Sequence, residues 1–130
     1  MKTAATAFQM LIRLLGLILI ILGILFWTGH DLTLIALHII IGLVFVLLLW
    51  IQALLAARFK VSMGLVGVEI LWGIVVLVLG MTQARLLAGS MHWVIQLLHL
   101  LVGIGAIGFA ESVGGRIKHV AVRPSVGNIK

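Results

Sequence analysis

Four uninterrupted apolar stretches, each about as long as a membrane-spanning helix, dominate this sequence. They cover approximately residues 8–27, 32–56, 61–81 and 91–110. About 20 residues of α-helix cross the hydrocarbon core of a bilayer, which is about 30 Å thick. The composition agrees, because 64% of the residues are hydrophobic and 9% are charged, whereas soluble domains are about a quarter charged. The sequence therefore predicts an all-α integral membrane protein.

The breaks between the apolar stretches are short, and the basic residues gather beside alternate breaks. Short connections make consecutive helices antiparallel neighbours, so we predict a four-helix up-down-up-down bundle that forms one transmembrane domain over residues 1–130. The basic residues expected on one side of this bundle are Lys2, Arg13, Arg58, Lys60, Arg116, Lys118, Arg123 and Lys130. Arg85 is expected on the other side. By the positive-inside rule, both termini and the basic tail of residues 112–130 lie in the cytoplasm, and we expect a bacterial inner membrane.

Several functions are excluded by what the sequence lacks. It has no cysteine, which excludes disulfides, iron–sulfur clusters and thiolate zinc sites. No motif for hydrolysis or phosphoryl transfer occurs. The run of glycines from Gly103 to Gly108 lies inside an apolar span and not after a strand, so it indicates helix packing and not a dinucleotide site. The basic tail sets topology and lipid contact, and we expect no nucleic acid partner.

The chain contains an internal repeat. Three features recur in the same order: a pair of glycines, a histidine with a glycine four residues later, and a basic triplet. In the first hairpin they are Gly16 with Gly23, Leu37-His38 with Gly42, and Arg58-Phe59-Lys60. In the second they are Gly73 with Gly80, Leu98-His99 with Gly103, and Arg116-Ile117-Lys118. We therefore predict two copies of one helical hairpin, related as a parallel repeat by a pseudo-twofold axis along the membrane normal.

His38 and His99 are the ionisable residues that the repeat places at one depth. Each lies about seven or eight residues from the outer end of its span, which is about 10 to 12 Å at 1.5 Å per residue. An ionisable side chain inside a membrane span usually has a function. Two level imidazoles on diagonal helices of a bundle are the ligands that a bis-histidine haem needs. We therefore predict that His38 and His99 ligate one haem iron.

The residues on the same helical faces suit a large flat cofactor. Gly42 and Gly103 each lie four residues after a histidine, so they share its face of the helix, and without a side chain they would let the macrocycle approach. Phe45 and Ala106 continue these two faces and are predicted to line the cofactor with apolar surface.

Other interpretations of the histidines remain open. Histidines and closely spaced glycines also serve helix packing alone, in which case the chain is a non-redox membrane scaffold or a small transporter subunit. Two histidines without a third ligand fall short of a zinc site. His30 and His92 lie nearer the outer surface, where a second haem is the less favoured alternative to a solvated or propionate-binding role.

The sequence contains three acidic residues, Asp31, Glu69 and Glu111. Arg13 and Glu69 lie at similar depths in the first and third spans, so we expect a buried ion pair between them. The alternative is that Glu69 takes up protons for quinone chemistry. Glu111 is expected at the interface near Arg116, and Asp31 is expected to cap the second helix with its carboxylate.

With these residues the chain resembles the membrane-embedded b-type cytochromes, four-helix bundles that hold haem between transmembrane histidines. The resemblance covers all four spans and depends on the two motifs that run from Leu37-His38 to Gly42 and from Leu98-His99 to Gly103. It implies non-covalent haem b, one-electron transfer, and exchange of electrons with a quinone or a redox partner subunit. Many such proteins carry two haems, whereas this chain has one matched pair. We therefore predict an electron-transfer protein or subunit rather than a stand-alone enzyme, working among membrane lipids with a partner or as a homo-oligomer.

Overall fold

The computed structural model of the chain describes residues 2–122, and the regular structure in that range is entirely helical. Four α-helices follow one another: α1 (Lys2–Trp27), α2 (Ile35–Arg58), α3 (Met63–Thr82) and α4 (His92–Val122). A short 3-10 helix, Leu32–Leu34, leads into α2. All four α-helices are long and apolar enough to cross a membrane. The prediction of an all-α chain with four long helices is confirmed for these residues, while Arg123 and Lys130 lie outside them.

Helix α4 is longer than its apolar stretch predicts. It continues to Val122, beyond the predicted end at residue 110 and well into the predicted tail. The reason is a buried stripe at helical spacing, formed by Ala106, Ala110, Val113 and Ile117. Such spacing at three and four residues keeps one face of a helix against its neighbours. Polar residues between these positions interrupt the apolar run without interrupting the helix.

Helices α2 and α4 are the central elements, since each of them packs against all three of the other α-helices. Two groups of buried side chains fill the bundle. The first contains Ile12, Phe45, Leu49, Ala106 and Ala110. The second contains Ala53, Ala56, Val61, Val66, Val113 and Ile117. The end of the bundle beyond the first group, with loops 28–34 and 83–91, is called the histidine end below, and the opposite end, with loop 59–62, the basic end.

The loop before α2 differs from the expectation for Asp31. The backbone of Asp31 is in the left-handed region, with φ of 51°, and the side chain of Asp31 makes no capping hydrogen bond. The backbone carbonyl of Asp31 instead accepts from the N–H of Leu34 at 2.8 Å. The predicted carboxylate cap is therefore wrong, because a tight 3-10 turn already satisfies the first free N–H of this segment.

The outside of the bundle is apolar along its length. Large hydrophobic side chains point outward from every α-helix, among them Leu14, Leu47, Leu71 and Leu101, each more than half exposed. A folded soluble protein rarely exposes a continuous apolar surface of this extent. The inside and outside of this bundle therefore differ little in hydrophobicity. Such a surface is stable in a bilayer, because lipid tails are as apolar as the side chains that contact them.

Candidate functional site

The two repeated histidines meet at the histidine end of the bundle. The ring centroids of His38 and His99 are 6.3 Å apart, with the ring planes tilted by 59°. His38 lies in the first turn of α2 and His99 in the second or third turn of α4. Two helices that are distant in sequence thus bring the two imidazoles to one level. The edge of Phe26 also packs on His38, with 5.5 Å between the ring centroids.

Each imidazole lies against a glycine of the preceding helix in its own hairpin. A methyl group built on Gly23 would lie 3.9 Å from Cε1 of His38, and one built on Gly80 would lie 3.2 Å from Cε1 of His99. Glycine at these positions lets the helix backbone approach the ring. The repeated glycine pairs carried this signal in the sequence, but their role beside the histidines was missed.

The glycines on the histidine helices have a different environment. A methyl group on Gly103 would meet no heavy atom within 4 Å, and one on Gly42 would meet only Leu19, at 3.9 Å. Within the described chain Gly103 therefore faces open space, whereas a methyl group on Gly42 would be in ordinary van der Waals contact with Leu19. The space beside Gly103 is compatible with a flat ligand.

Phe45 and Ala106 lie beneath the histidines, in the protein core. Phe45 is 2% exposed and Ala106 is fully buried. Both pack with Ile12, Leu49 and Ala110. They are about two helical turns from the histidines, so they form an apolar floor below the histidine pair. Side chains of the protein already fill the space at their own level.

The hydrogen bonding of the histidine pair is incomplete. Nδ1 of His38 and Nδ1 of His99 are both buried, and neither has a hydrogen-bond partner among the described residues. Leaving a buried polar atom unpaired costs about 1 to 3 kcal/mol. The two rings therefore occupy their positions at an energetic cost, which is typical of groups that bind something.

The spacing of the rings fits ligation of one iron from two sides. Two imidazoles whose nitrogens faced each other across one metal would have ring centres about 6 Å apart, because a metal–nitrogen bond is about 2 Å long and each nitrogen is about 1 Å from its ring centre. The measured separation of 6.3 Å agrees. Within residues 2–122, no group of three or more His, Cys, Asp or Glu side chains gathers to hold a bare metal ion.

The two outer histidines, His30 and His92, each make a hydrogen bond to a residue nearby in sequence. Nδ1 of His30 lies 3.0 Å from the hydroxyl of Thr28, and Nδ1 of His92 donates to the carbonyl of Leu86 at 3.2 Å. Each contact closes a turn within its own loop. These hydrogen bonds supply a structural role for both residues.

A second polar group lies toward the basic end, and it corrects one expectation. Arg13 forms an ion pair with Glu111, which also accepts from Nε2 of Gln9 at 2.8 Å. Glu69 is 1% exposed, and neither of its carboxylate oxygens has a hydrogen-bond partner within residues 2–122. The predicted pair between Arg13 and Glu69 is therefore wrong. Helix α1 packs against α2 and α4 and not substantially against α3, so Arg13 reaches the acid on α4.

The side chains at the two ends offer different chemistry. The histidine end presents two level imidazoles in apolar surroundings, while the basic end holds a buried carboxyl group and two buried amides, Gln9 and Gln52. Comparison with protein-family models, with curated proteins and with solved structures gives no match to this chain.

Proposed function

We propose that this chain is a membrane-embedded b-type cytochrome that holds one haem between His38 and His99 and transfers single electrons. The observation that carries the proposal is the meeting of two imidazoles from α2 and α4, with ring centroids 6.3 Å apart. The repeat in the sequence gives a second reason, because it brings one histidine from each hairpin to the same level. An ionisable residue in a membrane span is a functional site by default.

The proposal includes an up-down-up-down bundle in the membrane. Gly23 lies beside His38 while Gly16 lies near Phe45, which supports opposite directions for α1 and α2. His38 meets His99 at one end, and Gln52 donates to the carbonyl of Ala110 toward the other, which supports the same direction for α2 and α4. The apolar exterior and the basic residues beside alternate loops favour a bacterial inner membrane with both termini in the cytoplasm.

The chain's own residues bind and orient the cofactor in this proposal. His38 and His99 would hold the iron, and the glycines Gly23 and Gly80 set the position of the imidazole rings through backbone contact. Bound haem supplies a one-electron iron couple. The apolar floor of Phe45 and Ala106 excludes water below the site, and a low-polarity environment of this kind is one of the factors that set a haem potential.

The electron donor and acceptor in the proposal are membrane components. Little of the described chain extends beyond the four long helices, so a soluble substrate has small surface on which to dock. We propose exchange with a quinone or with a redox partner subunit, with lipids and a second copy of the chain as further partners. No nucleic acid partner is proposed.

A non-redox scaffold or small transporter subunit is the second candidate, and the indole hydrogen bonds favour it. Nε1 of Trp50 donates to the carbonyl of Ile70 at 3.2 Å, and Nε1 of Trp72 donates to the carbonyl of Val102 at 2.9 Å. Both bonds join neighbouring helices. Polar side chains in this bundle therefore do serve helix packing, and the histidines would be two more of them.

A difference spectrum separates the two candidates. Purified protein from a haem-replete host is reduced with dithionite, and the reduced-minus-oxidised absorbance is recorded. We expect the sharp α band of low-spin haem b, and we expect His38→Ala and His99→Ala each to abolish it. His30→Ala is the matched control and should retain the band, because the ring of His30 hydrogen-bonds to Thr28 in the loop before α2.

Two outcomes would overturn the proposal. A featureless spectrum of the correctly inserted wild-type protein would leave the scaffold as the better function. Unchanged low-spin haem in both single alanine variants would show that other residues hold the iron.

A further inference from the structure

We propose that Glu69 is a proton-binding carboxyl in the interior of the bundle, reached from the basic end past Glu111, Gln9 and Gln52. This inference concerns a site that the haem proposal does not use. It stands on the burial of Glu69, on the absence of a cation beside it, and on a chain of polar side chains that leads to the surface.

Glu69 is enclosed on the packed face of α3. It lies between Val66 and Gly73, the other two buried positions of that helix. The residue is 1% exposed, and both carboxylate oxygens are buried without a hydrogen-bond donor from the described residues. An ionised carboxylate without a partner is very unfavourable in such a place, and the usual escape is to bind a proton.

The faces that pack around Glu69 supply no positive charge. The buried residues of α2 are Phe45, Val46, Leu49, Gln52, Ala53 and Ala56. Those of α4 are Ile95, Val102, Ala106, Ala110, Val113, Gly114 and Ile117. On the other helices, Arg13 and Glu111 form an ion pair with each other. One proton on Glu69 therefore makes the whole interior of the described bundle neutral.

Polar side chains connect this interior to an open groove. The groove, of about 530 Å³, is lined in part by Lys60, Ser62, Glu111, Ser112, Arg116 and His119. Glu111 accepts from Nε2 of Gln9 at 2.8 Å. A methyl group on Gly114 would lie 2.8 Å from Nε2 of Gln52 and 2.9 Å from Cδ of Gln9. The two amides therefore meet at Gly114, where the absence of a side chain leaves room for both of them.

The last step of the proposed route runs from the two amides to Glu69, and no direct hydrogen bond joins them among the described residues. Val66 packs with Ala53 and Val113, which adjoin Gln52 and Gly114 in sequence, and Glu69 lies one helical turn beyond Val66. The oxygens Oε1 of Gln9 and Oε1 of Gln52 are buried and accept no hydrogen bond. Free amide oxygens of this kind can accept from a water molecule or from a protonated carboxyl.

The chemical step is simple and balanced. A proton from water at the groove binds one oxygen of the Glu69 carboxylate, forming an O–H bond, and the water is left as hydroxide or is re-protonated by bulk solvent. No other bond forms or breaks, and no oxidant or reductant takes part. The protonated group can then donate a hydrogen bond, which the carboxylate cannot do.

Infrared spectroscopy of the full chain in liposomes tests the protonation state. The chain has three acidic side chains, Asp31, Glu69 and Glu111, so the stretching band of a protonated carboxyl is easily assigned. We expect this band at neutral pH, with a shift in D2O, and we expect Glu69→Gln to remove it. Asp31→Asn is the matched control and should leave the band unchanged, since Asp31 lies in a loop at the histidine end.

Hydrogen exchange tests the route. We expect Gln52→Leu and Gly114→Ala each to slow the shift of the Glu69 band after transfer to D2O by several-fold, whereas Gly103→Ala should not change it. Gln9→Leu gives a second test of the route if Gly114→Ala fails to fold.

Failure would take two distinct forms. No protonated-carboxyl band in the wild type at neutral pH, or a band that survives Glu69→Gln, would overturn the proton site. A Glu69 band that exchanges equally fast in all the route variants would overturn the path through the amides. Both readouts are independent of haem, so they separate this inference from the proposed cytochrome function.

Discussion

The two hairpins of this bundle are alike at the histidine end and different toward the basic end. At the histidine end, Gly23 contacts His38 in one hairpin and Gly80 contacts His99 in the other. Eleven residues before these glycines, the corresponding positions hold Ile12 in the first hairpin and Glu69 in the second. Both are almost fully buried, so the same place in the fold is apolar in one copy and ionisable in the other.

The same divergence is seen at two more positions. Fourteen residues before the repeated glycines lie Gln9 and Val66, and fourteen residues after the histidines lie Gln52 and Val113. All four are buried. A site on the pseudo-twofold axis needs the same residue from each hairpin, whereas a site away from that axis needs different ones. The proposed haem site at the histidine end uses the equivalent residue of each hairpin, whereas the polar group toward the basic end does not.

The largest effect is expected from placing a second acid at the corresponding position of the first hairpin. Ile12→Glu puts a carboxyl among Phe45, Leu49 and Ala106, which are apolar and cannot pair with it. We expect a loss of about 3 to 5 kcal/mol of unfolding free energy, as for other uncompensated buried charges. Thermal unfolding in detergent, followed by circular dichroism, measures it. A stability equal to that of the wild type would show that the two positions are not equally enclosed.

The reverse substitution should stabilise the protein. Glu69→Ile makes the second hairpin resemble the first and removes two buried oxygens that have no partner. We expect a gain of about 1 to 3 kcal/mol, because an unsatisfied buried polar group costs about that much. The same unfolding measurement applies, and Glu69→Gln is the control that keeps the polar atoms. A destabilised Glu69→Ile variant would mean that Glu69 makes a favourable interaction through bound water or an ion.

The two glycines beside the histidines should respond unequally to alanine. The added methyl would lie 3.2 Å from His99 at Gly80 but 3.9 Å from His38 at Gly23. We expect Gly80→Ala to cost about 1 to 3 kcal/mol through displacement of the imidazole, and Gly23→Ala to be close to neutral. Unfolding of both variants decides this, and a haem spectrum shows whether the ring has moved. Equal losses would contradict the difference in packing between the hairpins.

The smallest effect is expected at Gly103. A methyl group there meets nothing within 4 Å, so Gly103→Ala should retain full stability and gain about 0.5 to 1 kcal/mol from the lower flexibility of alanine in a helix. A leucine at Gly103 would extend into the same open space. If haem occupies this space, Gly103→Leu should reduce haem occupancy while leaving the bundle folded, as measured by haem content per mole of protein.

The hydrophobic pattern was sufficient to predict the number and approximate position of the helices. It did not predict all of their ends. Four apolar stretches predicted four helices, since about 20 apolar residues in succession have few other stable structures. The end of α4 was missed because Val113 and Ile117 continue the buried stripe among polar residues. The predicted capping role of Asp31 was wrong, since local preferences do not reveal that the chain forms a 3-10 turn there.

Prediction of the functional groups depended on whether they repeat. The histidines could be paired from sequence because both hairpins carry the same motif, and symmetry makes equivalent residues meet. The partner of Arg13 could not be predicted, because Glu69 and Glu111 were both acids at plausible depths. Glu111 is the partner because α1 packs against α4, and this packing is known only from the tertiary structure.

The sequence by itself determined that this chain forms four long apolar helices and that one histidine of each hairpin lies at a common level. Both follow from periodicity and repetition, which are properties of the chain alone. Tertiary structure decided which glycines lie against the imidazoles, which acid pairs with Arg13, and that Glu69 is enclosed without a partner. These depend on how each helix is rotated about its axis, and that rotation is set by the sum of many weak packing contacts between helices.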